Sequence, residues 1–243
     1  ALKASTTGIE NAALGYNALV ANTTGSYNTA LGKTALMSNT TASYNTAAGQ
    51  GAGNQVTTGN QLTFVGAVAG GAATTATYST AFGMYAAQNM TTGSHNNCIG
   101  YAAGASASPF HLTTESGRLI LGSNDTTHSY VKVDWTVTSD ERDKTDITNF
   151  THGLEYVNEL RPVNFRWDDR SAYEDGVPDG SKKKSEIQLG FLAQEVQAIE
   201  TGLGIDNNAI VDTEDENLLK MTNAKLIPVL VNAIQELSAK VEA

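Results

Sequence analysis

Along the first hundred residues, small apolar, polar and glycine positions recur in one frame. Gly15, Gly32, Gly49, Gly66, Gly83 and Gly100 are evenly spaced (32 − 15 = 17, and the same at every step). Three positions after each comes Ala18, Ala35, Ala52, Ala69, Ala86 or Ala103. Two positions before each comes Ala13, Ala30, Ala47, Phe64, Ala81 or Cys98, and four before comes Asn11, Asn28, Asn45, Leu62, Ser79 or Asn96. Thr-Thr pairs keep the same register, from Thr6-Thr7 through Thr91-Thr92, so the unit reads T-T-G-x-x-N-x-A-x-G-x-x-A. A unit this short cannot hold a two-helix repeat. Gly and Asn at fixed places suit tight corners, where positive φ is needed. Small Ala and Gly at inward places let backbones approach closely. The pattern therefore predicts a stacked β-solenoid, each coil covering its neighbour's edge. Phe64 and Leu62 break the Ala/Asn pattern and predict a widened or irregular fourth coil.

After residue 110 the periodicity changes. Arg118-Leu-Ile-Leu-Gly and Tyr130-Val-Lys-Val-Asp-Trp-Thr-Val alternate as strands do, with a turn at Ser123-Asn124-Asp125. Leu154, Val157 and Leu160 then follow a helical spacing that Pro162 ends. Residues 168–186, with Lys182-Lys183-Lys184, read as a solvated loop. A second helix is predicted from Ala193 to Glu200. A last one starts near Asn223, with Leu226, Leu230, Ile234, Leu237 and Val241 as a stripe suited to packing against copies of itself; Pro228 sits near its first turn, where proline is tolerated.

Charge divides the chain at the same place. From Ala1 to Phe110 the charged side chains are Lys3, Glu10 and Lys33. From Ser139 onward the chain holds 11 of its 15 Lys and Arg and 21 of its 25 Asp and Glu, a balance of 11 − 21 = −10, which equals the net charge. This argues for separate modules at 1–110, 111–138 and 139–243, the middle one closing the β-section. The acidic balance argues against nucleic acid or an anionic membrane as a partner. No apolar run is long enough to span a bilayer, and no secretion signal stands at the start. The chain opens in mid-repeat, as a piece of a longer protein would.

Cys98 is the single cysteine, so no disulfide forms within one chain; its place in the repeat reads as a small buried residue. No metal or cofactor site is expected. One acid, Glu10, within residues 1–110 makes a glycosidase there improbable, since that chemistry ordinarily uses two carboxyl groups. Tyr16, Tyr27, Tyr44, Tyr78, Tyr85 and Tyr101 suit sugar stacking or, more simply, solenoid padding.

The N-x-A-x-G core over roughly residues 5–105 resembles head repeats of trimeric bacterial adhesins and similar stretches of phage fibres. That likeness implies a β-roll or β-prism shared among three chains. Ser139-Asp140-Glu141-Arg142-Asp143-Lys144 resembles the S-D-x-R-x-K signature that opens the self-cleaving intramolecular chaperone domain of phage tail fibres and tailspikes, the endosialidase type. Leu160 to Trp167 fits that family's L-x-P-V-x-F-x-W stretch, Leu189 to Val196 its G-F-I-A-Q-E-V stretch, and Leu226 to Leu237 its closing helix. Asp146 departs from it, standing where many relatives carry Asn.

The resemblance implies a fold and an activity. The fold is an intertwined homotrimer: a mainly β solenoid or β-prism, then a small α+β chaperone domain ending in a long helix. The activity is self-cleavage between Thr138 and Ser139, with Ser139 as nucleophile and Lys144 as its general base. A serine hydroxyl needs a base within hydrogen-bond reach. A lysine serves as one only when its pKa falls from about 10.4, commonly by burial, which trimer assembly would supply. Asp140 and Arg142 are supporting candidates, equally suited to a salt-bridged turn. Backbone N–H groups near Ser139 are the default oxyanion donors. His152 has no matched role in the family pattern.

The resulting expectation is the distal part of a viral tail fibre or tailspike, made in the host cytoplasm and carried on the virion. It would attach to a host-surface receptor, glycan or protein, and its chaperone would be released by the cut. The alternative is a non-catalytic structural fibre whose C-terminal domain stays as a trimerisation cap. A bacterial adhesin would need a membrane anchor that the tail does not supply.

Overall fold

A computed structural model describes residues 1–105, 110–205, 209–215 and 217–242. The chain divides into two compact units, Ala1–Lys132 and Val133–Ala243.

The first unit is a parallel solenoid. Seven short strands, β1 (Ala12–Leu14), β2 (Thr29–Leu31), β3 (Thr46–Ala48), β4 (Thr63–Val65), β5 (Thr80–Phe82), β6 (Asn97–Ile99) and β7 (Leu119–Leu121), form one sheet in sequence order. The register advances by one repeat at each step, with Ala13 opposite Ala30 and Ala30 opposite Ala47. The last step is longer: Cys98 faces Ile120, where the strict repeat would have placed Glu115. The insertion falls between Gly104 and Leu112, since Ala87 still donates to Ala103 one coil on while Thr91 donates to Thr113.

The inward alanines are fully buried as the pattern predicts, except Ala13 in the first coil, which is partly buried. Gly15, Gly32, Gly49, Gly66, Gly83 and Gly100 have φ between 117° and 141°. At Gly15 a side chain would also collide with the next coil, because an added Cβ lies 2.4 Å from the Gly32 carbonyl oxygen.

The asparagines do something other than turn corners. Left-handed backbone falls instead on the residue before each Asn, Glu10, Tyr27, Tyr44 and His95, and on Gln61 and Tyr78 before Leu62 and Ser79 at the same repeat position. The amides instead run as a ladder through the buried interior. Asn11 Oδ1 accepts from the Asn28 amide at 2.9 Å, Asn28 Oδ1 from Asn45 at 3.0 Å, and Asn45 Oδ1 from Leu62 at 3.0 Å. Their Nδ2 groups donate at 2.8 Å to the carbonyls of Gly25, Ala42 and Gly59 in the next coil. Each side chain thus satisfies two backbone groups of the next coil that burial would otherwise leave costly, at about 1 kcal/mol per bond. A second ladder runs from Thr6, Thr23, Thr40, Thr57, Thr74 and Thr91, each hydroxyl donating to a threonine carbonyl one coil ahead. Outside, Tyr27 stacks on Tyr44 at 4.9 Å and Tyr78 on His95 at 4.8 Å. These rings pack coil on coil.

The fourth coil is not widened. Phe64 stays in register between Ala47 and Ala81 and is fully buried. Space for it comes from the corner position held by Leu19 and Leu36 in earlier coils, which becomes Gly53 and Gly70 around Phe64. A Cβ on Gly70 would lie 2.4 Å from the phenyl ring. One large ring replaces neighbouring leucines, so the core volume is redistributed between coils. Cys98 is buried in the same column, and burial pushes its thiol up to about 11.

Glu115 closes the last coil. Burial works against its charge, but the amides of Thr113 and Thr114, at 2.7 and 3.0 Å from its Oε2, outweigh this and hold its carboxyl below the usual value. A lowered folded pKa contributes stability that is complete above the unfolded value of about 4.3 and is lost as pH falls through the folded one. Protection of the Thr113 and Thr114 amides, taken relative to their intrinsic exchange rates, should therefore fall as pH drops below the usual glutamate value of about 4.3. Glu115→Gln should flatten that pH response, and an unchanged response in the variant would rule the carboxylate out as its source.

The strand predicted at Arg118–Gly122 is β7, and the turn at Ser123–Asp125 is present, the Thr126 amide donating to the Ser123 carbonyl at 2.9 Å. Tyr130–Thr138 forms no strand within the single chain.

The second unit is small and α+β. Its elements are α1 (Leu154–Glu159), a hairpin-like pair β8 (Val163–Phe165) and β9 (Gln188–Gly190), α2 (Ala193–Gly202), the pair β10 (Val211–Asp212) and β11 (Lys220–Met221), and α3 (Leu226–Glu242). Its core gathers Tyr156, Val196, Ile199, Ile210, Val211, Leu226 and Val229. The loop between β8 and β9 contains the three lysines and is organised by Asp168, which accepts from the Tyr173 hydroxyl at 2.6 Å and the Gly180 amide at 3.0 Å. Of the predicted α3 stripe only Leu226 is buried; Leu230, Ile234, Leu237 and Val241 are exposed, and the helix instead buries Val229 and Ala233.

Candidate active site

A short turn carries the site. Asp140 caps a single 3-10 turn, Glu141–Asp143. Its Oδ1 accepts from the Arg142 amide at 2.9 Å and from Arg142 Nε at 3.0 Å, while Oδ2 accepts from the far guanidinium nitrogen at 2.6 Å. The Arg142 guanidinium, with its amide, holds the Asp140 carboxyl below the usual carboxylate range. The Lys144 amide closes the turn on the Glu141 carbonyl at 3.0 Å. This reversal brings residue 144 back to residue 139. Lys144 Nζ donates to Ser139 Oγ at 2.6 Å and to the Ser139 carbonyl at 3.0 Å.

A hydroxyl and an amine are thus within direct proton-transfer distance, immediately after the Thr138–Ser139 peptide bond. Both residues are solvent-exposed in the single chain. Asp140 and Arg142 bond each other and shape the turn between the pair. Asp146 has φ 52°, a left-handed position that Asp and Asn tolerate alike, so the departure from the Asn of relatives leaves the backbone path open. His152 lies elsewhere, bonded to Glu155 and edge-on to Phe150.

Two arrangements in the same unit are missed by the sequence reading. Gly153 caps α1 without a side chain, and Glu236 of α3 supplies the missing acceptor, its Oε2 taking the Leu154 amide at 3.0 Å. Asn232 donates to the Phe150 carbonyl. A Cβ on Gly153 would lie 2.8 Å from the α3 backbone at Ala233, so only glycine admits the helix there. Glu200, 2 % exposed, accepts from the Ile210 amide at 2.8 Å and from the Val211 amide at 3.3 Å. Burial, and then the Glu200 charge, raises the Tyr156 hydroxyl pKa. One signal for Glu200 is available: it follows Val196 by four on α2, an inward spacing.

Taken together, a parallel solenoid with side-chain ladders precedes a small α+β unit in which a Ser–Lys pair sits on a capped turn. Residues 139–205 match the family model of the chaperone of endosialidase, and that family implies a self-cleaving chaperone. The match opens on Ser139 and stops short of α3, which the sequence resemblance includes. No curated protein and no solved structure matches the chain. Solenoid and chaperone domain together fit a phage tail fibre with a C-terminal chaperone. No helix among the described residues is long and apolar enough to cross a membrane.

Proposed function

We propose that this chain is the distal part of a tail fibre or tailspike that reaches a host-surface receptor, glycan or protein, and that its chaperone assembles three copies and then cuts itself off between Thr138 and Ser139. The observation that carries the reading is the 2.6 Å approach of Lys144 Nζ to Ser139 Oγ at the first residue of the matched family segment.

The chemistry balances with water as the one co-reactant. Neutral Lys144 takes the hydroxyl proton as Ser139 Oγ attacks the Thr138 carbonyl carbon. The C–N bond breaks, the proton passes from Lys144 to the departing Ser139 amine, and an ester joins Thr138 to Oγ. Water then hydrolyses the ester, leaving a Thr138 carboxylate and a free Ser139 N-terminus. An ammonium must lose its proton before it can accept one, and burial favours the neutral amine. Lys144 is exposed in the single chain, so assembly is the event that arms it.

Two apolar columns support a homotrimer. The outward third positions of the strands, including Leu14, Leu31, Phe82, Ile99 and Leu121, are exposed along one line of the solenoid. The unburied face of α3 adds Leu230, Ile234, Leu237 and Val241. A chaperone that leaves after acting would hand over a fibre whose persistence depends on its unfolding rate. The fibre would stay on the virion and the chaperone would be released.

Purified protein run on a denaturing gel should give two fragments, and N-terminal sequencing of the chaperone fragment should read Ser139-Asp140-Glu141. A single full-length band would favour the permanent trimerisation cap instead, and a different N-terminus would move the cut.

A further inference from the structure

Tyr130–Thr138 has the pattern of a strand and none of its bonds. Val131, Val133, Trp135 and Val137 fall on one side of the alternation, Lys132, Asp134, Thr136 and Thr138 on the other. The four apolar side chains are 57 %, 75 %, 70 % and 80 % exposed. Among the described residues, no backbone amide or carbonyl from 129 to 138 makes a backbone hydrogen bond. Neither Lys132 nor Asp134 has an ion-pair partner there. A run with a strand's alternation that exposes both its ladder groups and four apolar side chains is incomplete as it stands.

We infer that its partner is the same segment of a second copy of this chain, and that this pairing holds the Thr138–Ser139 bond. The charges select that occupant. Strands closing into a ring tilt, and tilt staggers neighbours along their length. A parallel stagger by one side-chain repeat sets Lys132 of one copy opposite Asp134 of the next, and Val131 opposite Val133 on the apolar side. Pairing without stagger would oppose lysine to lysine and aspartate to aspartate, which is destabilising. Along the chain, the segment follows the exposed apolar column of the solenoid, whose last member is Leu121. Its own last residue is Thr138, so the paired strand would fix the carbonyl that Ser139 attacks. Between a free coil and a paired strand lies the difference between a scissile bond that wanders and one that is presented. This inference rests on the proposed cut at Thr138–Ser139 only for its link to catalysis; the pairing itself is independent of it.

The test is a register-specific crosslink in the whole chain. Cys98→Ala, which installs the residue found at that coil position in Ala13, Ala30, Ala47 and Ala81, supplies the background. On this, Lys132→Cys with Asp134→Cys should give disulfide-linked oligomers under mild oxidation, visible on a non-reducing gel, while either cysteine alone should give far less. Absence of crosslinks in the double variant overturns the inference, as does equal crosslinking by Lys132→Cys alone, which would mean unstaggered copies. In a second measurement, Lys132→Glu should slow cleavage several-fold and Lys132→Asp with Asp134→Lys should restore it; failure of the swap to restore the rate overturns the catalytic link. A chain that crosslinks as expected yet never cleaves would remove the proposed proteolysis and leave the strand pairing standing.

Discussion

Replacing Lys144 by alanine should leave the chain at full length on a denaturing gel under conditions where the parent is cut. General-base catalysis commonly contributes about 10²–10⁴-fold, so cleavage over hours should become cleavage over weeks or longer. Lys144→Arg sharpens the test. Arginine keeps the positive charge and reaches the same distance, so it preserves any purely structural contact with the Ser139 hydroxyl and carbonyl. It cannot surrender its proton at accessible pH. If Lys144 is the base, the arginine variant is as inactive as alanine; if Lys144 only braces the turn, arginine retains most of the rate. Ser139→Ala should be inactive for a different reason, having lost the attacking oxygen. Normal cleavage in Lys144→Ala would sink the assignment, and trimer mass measured on the same samples separates loss of chemistry from loss of assembly.

The solenoid core should answer to a matched pair of substitutions. Phe64→Ala removes a fully buried ring whose space two glycines provide, and the cost should be about 3–5 kcal/mol in denaturant unfolding. Gly70→Leu alone should also destabilise, because its Cβ would enter the ring. Together the two should be milder than their sum. Leu36 occupies the equivalent corner at φ 47°, close to the 59° of Gly70, so leucine can hold that backbone when the facing residue is alanine. Contacting residues couple by about 0.5–3 kcal/mol, and a coupling of at least about 1 kcal/mol is expected here. Strict additivity would mean that Phe64 and the glycines are not packed as one unit.

Much of this is readable in the residues, for identifiable reasons. A repeat is a local regularity multiplied, so the even spacing, the buried alanines and the positive-φ glycines follow from one unit. The Ser139–Lys144 spacing is short enough for a single turn to close, and the turn's cap, Asp140, lies within it. Asparagine is misread as a corner residue because the same amide suits a left-handed corner and a ladder rung. What separates them is the neighbouring coil, a full repeat away along the chain. The fourth coil is misjudged when Phe64 is read alone. Its compensation, on one side at Gly70 and on the other at Gly53, lies at a different corner of the repeat.

By itself, then, the sequence determined a parallel stack of coils, a change of charge and character near residue 139, and a serine and lysine spaced to meet across one turn. The tertiary structure decided which side chains bridge coils, that Glu236 rather than any residue of α1 caps that helix, which stripe of α3 is buried, and that Tyr130–Thr138 is left unpaired in one chain. The reason is physical. Dihedral preferences and short spacings act through neighbours along the chain, whereas hydrogen-bond satisfaction and packing are settled by groups brought together only once the chain has folded.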